Sequence, residues 1–272
     1  MMPDTSSYKK SSFGPAFFFL SKRKREALAN YYSFCRLMDD IADEPTVKDP
    51  AKELNLWKEE ITLLYQGKPQ TELGKALAED IREYAIPQDR FFMLIEGMTF
   101  DLQGKNYPDF KALSGYLYRV AVIVGLATLD ILGVKGNSAK ELSESLGTAV
   151  QLTNIIRDVH DDALMGRVYL PEDLMAQYGL TRDEVLHGTN PENLAKLLEH
   201  LQTLALSYYG DASLLMRKLP RLKMLPCWMM MCVYRANLAK IKKMGFMFTR
   251  SVKLTKIEKF KQVLYALFYT FI

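Results

Sequence analysis

The sequence has few cysteines, prolines and glycines for its length of 272 residues. Three cysteines are too few for a disulfide framework, which excludes the small secreted domains that depend on disulfides. Cys227 and Cys232 lack a neighbouring pair of histidines or cysteines, so a zinc ribbon is excluded as well. The 15 glycines and 11 prolines are too few for a collagen-like or low-complexity chain, and a hydrophobic content of 49% excludes disorder.

A large excess of one charge and long apolar runs are also missing. Lys and Arg total 36 against 32 Asp and Glu, and a net charge of +4 is too small for a dedicated nucleic-acid-binding protein. Residues 1–10 lack the apolar centre of a signal peptide, and no stretch approaches the roughly 18 uncharged apolar residues of a membrane span. We therefore expect a cytoplasmic protein with no nucleic-acid partner.

The C-terminal segment is the part of the chain that could contact a membrane. Residues 263–272 are apolar and follow Lys253, Lys256, Lys259 and Lys261. A basic amphipathic helix of this kind either makes peripheral contact with the inner face of a membrane or packs on the protein as its last helix. We favour packing, and peripheral membrane contact stays open as the alternative.

Apolar residues recur at helical spacing almost throughout, whereas alternating runs typical of strands are absent. The pattern predicts an all-α fold with helices over residues 22–44, 50–66, 70–85, 88–104, 110–133, 138–165, 192–218, 221–244 and 254–270. Pro and Gly residues mark short connections, and no Gly/Ser-rich linker or internal repeat divides the chain. We expect a single domain that covers residues 1–272.

A polar stripe lies on the predicted helix over residues 22–44. At about 100° per residue, Tyr32, Arg36, Asp39 and Asp43 fall within a sector roughly 60° wide. The residues around them are apolar, so the stripe is predicted to face the inside of a helical bundle. Two carboxylates in such a position repel each other and need a cation.

A second stripe repeats this arrangement on the predicted helix over residues 138–165. Gln151, Asn154, Asp158 and Asp162 share a sector roughly 80° wide. One aspartate pair at this spacing is more often a solvated surface, but two such stripes together favour a function. Carboxylate and amide oxygens are ligands that suit Mg²⁺, an ion that also binds substrate phosphates.

Motifs of other enzyme classes are missing from the sequence. It has no G-x-S-x-G nucleophile motif and no H-E-x-x-H zinc motif. The three histidines, His160, His187 and His200, have neither metal-binding spacing nor a common helical face. No G-x-G-x-x-G follows a strand, so a Rossmann-type dinucleotide site is not supported.

Four ordered blocks resemble the squalene/phytoene synthase family, the head-to-head prenyl synthases. They cover residues 32–43, 96–102, 116–125 and 151–171, and the last block reads QLTNIIRDVHDDALMGRVYLP. Within the family, the sequence is most similar to bacterial presqualene diphosphate synthases of hopanoid pathways, with phytoene synthases close behind. The resemblance implies an all-α isoprenoid synthase fold, a single helical bundle around a central prenyl-binding cavity.

The resemblance also implies roles for individual residues. Two or more Mg²⁺ ions would be held by Asp39, Asp43, Asp158, Asp162 and, as a further ligand, Asn154. The prenyl diphosphate substrates would contact Ser12, Tyr32, Arg36, Gln151, Asn154, Arg157, Arg167 and Tyr169. Tyr116 and Tyr169 would orient diphosphate, stabilise a carbocation or assist proton loss, and their alternative is a role as core tyrosines. The alternative to substrate contact for Ser12 is a role as a helix cap.

These features predict a Mg²⁺-dependent prenyltransferase that joins two farnesyl diphosphates (C15) head to head into presqualene diphosphate. The alternative substrate is geranylgeranyl diphosphate (C20), with phytoene as product. Val122 stands where phytoene synthases usually have glycine, and we expect it to narrow the channel in favour of C15. A different class of function is a non-catalytic prenyl-binding or assembly homologue. NADPH is not expected to be needed for the first half-reaction, and downstream isoprenoid enzymes are further candidate partners.

Overall fold

The computed structural model describes residues 19–246 and 251–271, and this part of the chain contains α-helices and loops without a β-strand. The predicted all-α fold is therefore confirmed. The helices are α1 (Lys22–Asp43), α2 (Pro50–Tyr65), α3 (Glu72–Tyr84), α4 (Asp89–Leu102), α5 (Phe110–Leu117), a π-helical segment (Tyr118–Val122), α6 (Ile123–Leu132), α7 (Asn137–Leu164), α8 (Glu172–Gln177), α9 (Arg182–His187), α10 (Pro191–Arg217), α11 (Arg221–Lys243) and α12 (Lys256–Phe271).

Local signals in the sequence set several helix ends. The side chains of Ser21, Asp49 and Thr71 accept hydrogen bonds from first-turn backbone amides of α1, α2 and α3. Gly133 ends α6 at φ +76°, a left-handed conformation that glycine adopts without strain. All nine predicted helices are present, and their ends agree with the sequence pattern to within about two residues.

Two features differ from the sequence prediction. The short helices α8 and α9 are not predicted, because six residues contain too few turns to show an apolar period. Thr181 and Glu184 form a capping box at the start of α9, and this local signal could have located that helix. The predicted helix over 110–133 is also interrupted by the π-helical segment, whose wider turn leaves no mark in the apolar pattern.

Helix packing leaves an interior space between α1 and α7. The long helix α7 packs against α10, α6, α11 and the π-helical segment, while α1 packs against α4, α3 and α6. Gly147 brings α7 close to the π-helical segment, since a Cβ atom there would lie 3.0 Å from the Cα atom of Val122. Phe34 of α1 and Phe91 of α4 meet edge to face in the core, with ring centroids 5.1 Å apart. Both polar stripes point into the space that remains.

One helix in the described part of the chain is long and apolar enough to cross a membrane by length and composition. It is the continuous helix over residues 110–132, formed by α5, the π-helical segment and α6. Leu113, Leu117, Ile123 and Ala127 of this helix are fully buried within the protein, which is the pattern of a core helix. The prediction of one domain over residues 1–272 stays a prediction.

Candidate active site

A cavity of about 460 Å³ lies inside the bundle, a volume in the range of binding sites for small organic ligands. It is lined by side chains of α1, α4, α5, α6, α7 and α11, by the π-helical segment and by the loop that follows α7. The predicted site residues that line it are Tyr32, Arg36, Asp39, Asp43, Tyr116, Gln151, Asn154, Arg157, Asp158, Asp162, Arg167 and Tyr169. Ser12 lies outside the described residues. The two stripes therefore meet in one cavity, as the sequence predicts.

The cavity has a polar end and an apolar end. The polar end carries both aspartate stripes and is formed by the C-terminal halves of α1 and α7. Toward the N-terminal ends of these helices the lining becomes apolar, with Leu28 on α1 and Leu142 on α7, joined by Leu129 and Pro226. At 1.5 Å per residue, Leu28 and Asp43 are separated by about 22 Å along α1. Such a cavity fits a ligand with an anionic head and a long apolar chain.

Asp39 and Asp43 project from α1 into the polar end. Burial, followed by the charge of Asp43, raises the pKa of Asp39 from 3.8 to about 7. Asp43 accepts a hydrogen bond of 2.5 Å from Arg167, which lies in the loop after α7. Arg36 forms its ion pair with Asp40, at 2.6 Å, and not with a cavity aspartate. The repulsion expected between the two stripe carboxylates is present at Asp39, where the charge of Arg36 opposes it in part.

Asp158 and Asp162 line the opposite stripe, on α7. The Nε atom of Arg157 donates to Oδ1 of Asp158 at 2.8 Å, so this aspartate has a cation beside it. Burial, followed by the charge of Asp158, raises the pKa of Asp162 from 3.8 to about 8. Asp43 of α1 also contributes to this increase. The stripes of α1 and α7 therefore share one electrostatic environment.

The donor atoms at the polar end fit a divalent cation. Burial and like charge disfavour the ionised forms of Asp39 and Asp162, and a bound cation would reverse this effect. The Oδ1 atom of Asn154 is buried without a hydrogen-bond partner among the described residues, while its Nδ2 donates to Gln151 at 3.0 Å. Within the described ranges, no three acidic, histidine or cysteine side chains converge closely enough to hold an ion by themselves. Phosphate oxygens of a substrate would therefore have to supply further ligands to an ion held here.

A partly buried carboxylate that the sequence pattern does not single out lies beside the stripes. Asp101 of α4 accepts hydrogen bonds from the hydroxyls of Tyr116, at 3.1 Å, and Tyr169, at 2.7 Å. Burial raises the pKa of Asp101 from 3.8 to about 6, against the opposing effect of the two tyrosine hydroxyls. The two tyrosine rings stack with centroids 5.2 Å apart. Asp101 lies three residues after buried Met98, and this helical spacing is the signal that could have identified it.

Ser251 is a second site residue that the sequence does not indicate. Its Oγ atom lies 2.7 Å from Oδ1 of Asp158 and 2.6 Å from Oδ2 of Asp161. The serine precedes α12 and lies 93 residues from Asp158 in the sequence. No motif or periodic pattern includes it, so only the folded chain brings it to the second stripe.

The wall formed by the π-helical segment and α6 corrects one prediction. Val120 and Val124 line the cavity. Val122 is not part of the lining and is buried with Ile123 and Leu126. Two positions along a helix turn a side chain to roughly the opposite face, so Val122 points away from the face of Val120 and Val124. The prediction that Val122 faces the channel is therefore wrong.

Known proteins are similar to this chain in sequence and in architecture. The Squalene/phytoene synthase family profile matches residues 8–258. The chain is 36% identical over 213 residues to a presqualene diphosphate synthase of Rhodopseudomonas palustris, covering 78% of this chain and 76% of that protein. It is 31% identical over 249 residues to phytoene synthase 1 of Arabidopsis thaliana, a match that covers 88% of this chain and 59% of the plant protein.

A solved structure supports the same assignment. The crystal structure of a squalene synthase from Alicyclobacillus acidocaldarius superposes with a TM-score of 0.82 at 25% identity, covering 89% of this chain and 91% of that one. The isoprenoid synthase fold implied by the sequence resemblance is thus confirmed. The relatives in this family are prenyltransferases. The chain belongs to the squalene/phytoene synthase family.

Proposed function

We propose that this protein condenses two farnesyl diphosphates head to head into presqualene diphosphate. The observation that carries the proposal is the meeting of two carboxylate stripes at one end of a cavity whose other end is apolar. The stripes would bind the diphosphates through metal ions, and the apolar end would hold the prenyl chains. The similarity to a presqualene diphosphate synthase at 36% identity supports the same reaction.

Two or more Mg²⁺ ions would be held by Asp39, Asp43, Asp158 and Asp162, with Asn154 as a further ligand. The buried, partnerless Oδ1 atom of Asn154 supports this assignment, as do the raised pKa values of Asp39 and Asp162. The chemistry that Mg²⁺ supplies when bound is neutralisation of diphosphate charge, which makes diphosphate a better leaving group.

Three arginines complete the cationic surroundings of the diphosphates. Arg157 and Arg167 lie at the polar end, where Asp158 and Asp43 orient their guanidinium groups. Arg36 also lines the cavity and is held by Asp40. Guanidinium groups bind phosphate oxygens through paired N–H donors, so these residues would fix the diphosphate before its bond to carbon breaks.

The aromatic wall beside the stripes suits the reaction that follows. When the C1–O bond of one substrate breaks, its electron pair leaves with diphosphate and an allylic carbocation forms. The double bond of the second substrate then attacks that C1, and loss of a proton closes the cyclopropane ring. The stacked rings of Tyr116 and Tyr169 offer π faces to positive charge, and their bonds to Asp101 fix the orientation of the hydroxyls. The apolar walls would keep water from the carbocation.

A second candidate function is the condensation of two C20 geranylgeranyl diphosphates into phytoene. The observation in its favour is the 31% identity to a plant phytoene synthase over 88% of this chain. The higher identity to a presqualene diphosphate synthase leads us to place the C15 substrate first.

The experiment that tests the proposal is an incubation of purified protein with Mg²⁺ and either C15 or C20 diphosphate, with and without NADPH. We expect presqualene diphosphate from the C15 substrate, identified by mass spectrometry, and the same rate of substrate consumption without NADPH. Consumption of the C20 substrate alone would favour the phytoene reaction. Binding of both diphosphates without consumption would favour a non-catalytic homologue, and strict dependence of consumption on NADPH would reject the expected first step.

A further inference from the structure

Helix α12 has one face packed on the protein and another face exposed. Val263, Ala266 and Thr270 are buried, and the helix packs against α11. At its C-terminal end, Tyr269 stacks on Trp228 of α11 with ring centroids 5.8 Å apart. Packing as the last helix is therefore confirmed, but it uses only part of the apolar surface of α12.

The exposed face of α12 is apolar. Ile257, Phe260, Leu264 and Phe268 are 70%, 62%, 50% and 61% exposed, and on a helical projection they fall in a sector about 80° wide. We call these four residues the α12 stripe. Among the described residues, six of the thirteen exposed large apolar side chains lie on this one helix. Apolar surface concentrated in this way indicates a binding surface, whereas scattered exposed residues need no explanation.

Positive charge borders the α12 stripe on both sides. On the same projection, exposed Lys256 lies beside Phe260 and exposed Lys261 lies beside Phe268. No ion pair found in the described ranges includes either lysine. Glu258, the one acidic residue of α12, is already paired with Lys240 at 2.8 Å. The surface of α12 is therefore apolar in the middle and cationic at its edges.

We propose that the α12 stripe rests on an anionic lipid surface. Apolar side chains would enter the boundary between headgroups and acyl chains, while Lys256 and Lys261 extend toward the lipid phosphates. A second copy of the chain fits this face less well, because its lysines would meet lysines of the same sign with no free carboxylate on α12 to pair with them. The inference is independent of the proposed reaction, since no residue of the α12 stripe lines the cavity.

The test is sedimentation of the full chain with lipid vesicles. Vesicles of phosphatidylcholine alone are compared with vesicles of phosphatidylcholine and phosphatidylglycerol in equal parts. We expect binding to the anionic vesicles that weakens as salt is added, because ions screen the attraction of lysine for phosphate. Phe260→Ser combined with Phe268→Ser, and Lys256→Glu combined with Lys261→Glu, should each weaken the partition by about tenfold or more.

Matched controls separate this surface from general effects of charge and hydrophobicity. Leu214→Ser removes an apolar side chain of 62% exposure on α10, and Lys52→Glu reverses an exposed charge on α2. Both variants should bind anionic vesicles like the wild type, and circular dichroism should show that every variant is folded. Absence of wild-type binding to anionic vesicles, or equal binding by the α12 variants, overturns the proposal. So does a dimer in light scattering that the Phe260 and Phe268 substitutions abolish, because a second copy would then cover the α12 stripe.

Discussion

The hydroxyl of Tyr169 donates a hydrogen bond of 2.7 Å to Oδ1 of Asp101, which lies 68 residues earlier in the chain. The other carboxylate oxygen of Asp101 accepts from Tyr116 at 3.1 Å. One partly buried carboxylate thus joins two stacked rings that come from α5 and from the loop after α7. This link fixes the aromatic wall beside both aspartate stripes.

We predict that Asp101→Asn lowers kcat without unfolding the protein. The amide can accept only on one side, so one tyrosine hydroxyl loses its acceptor and its ring is positioned less well. A loss on the order of tenfold to a hundredfold is expected, since small misplacements of catalytic groups have effects of this size. Steady-state kinetics with the C15 substrate measure it. Tyr65→Phe, which removes a hydroxyl bonded to the backbone of Ile86 outside the cavity, should leave kcat unchanged. Full activity of Asp101→Asn would contradict the role assigned to this wall.

The second prediction concerns the carboxylates expected to hold Mg²⁺. Asp39→Asn and Asp158→Asn should each reduce turnover by orders of magnitude and raise the Mg²⁺ concentration needed for half-maximal rate, because each removes charge that holds the ion. Glu26→Gln is the matched control on α1, since Glu26 is exposed and does not line the cavity. Titration of the initial rate with Mg²⁺ distinguishes these variants. If both cavity variants keep the wild-type Mg²⁺ dependence, the ligand assignment is wrong.

The third prediction is a pH dependence of stability in the metal-free protein. Burial and neighbouring carboxylates raise the pKa of Asp39 to about 7 and that of Asp162 to about 8. The folded state then binds more protons than the unfolded chain between about pH 4 and pH 8, so these groups contribute stability at low pH that is lost as pH rises through this window. Added Mg²⁺ favours the ionised carboxylates and should therefore raise Tm more at about pH 8 than at about pH 5.

Thermal unfolding followed by circular dichroism, with EDTA or with Mg²⁺, measures this effect. Asp162→Asn should flatten the pH dependence seen with EDTA, because the amide does not titrate. An equal Mg²⁺ effect at both pH values, unchanged in Asp162→Asn, would show that the raised pKa values and the ion binding are unrelated.

The fourth prediction concerns chain length and uses two residues of the same continuous helix. Leu129 and Val122 are each 2% exposed, but only Leu129 lines the cavity, at its apolar end. Leu129→Ala should lengthen the space for the prenyl chain and shift the ratio of kcat/KM values toward C20 by roughly tenfold or more. Val122→Ala should leave that ratio unchanged, although both substitutions create a void and lower Tm. A shift in the ratio with Val122→Ala alone would restore Val122 as the residue that sets chain length.

Helical spacing in the sequence predicts much of the candidate site. It places Asp39 with Asp43, and Asp158 with Asp162, on single helix faces, because rotation per residue is fixed along a helix. The structure confirms that both faces line one cavity. The same rule separates Val122 from the face of Val120 and Val124, whereas a match to a glycine of the family does not determine which helix face a residue occupies.

Contacts between distant segments are the part that the sequence could not provide. Ser251 reaches Asp158 only because the segment before α12 folds back onto α7, and no local pattern encodes that path. The ion pair of Arg36 with Asp40 depends on the choice among side-chain rotamers, since Asp39 and Asp40 are both within reach along a helix. The π-helical segment likewise depends on tertiary packing and leaves no mark in the apolar pattern.

The most direct test of the central claim, that both stripes form one diphosphate site, is a double-mutant cycle. The rate of diphosphate release from the C15 substrate is measured for Asp39→Asn, for Asp158→Asn and for the double variant, with folding verified for each by circular dichroism. Residues that act as a unit have strongly non-additive effects, so the double variant should be little slower than the slower single variant. A double variant whose loss equals the product of the two single losses would contradict the claim, because the stripes would then act independently.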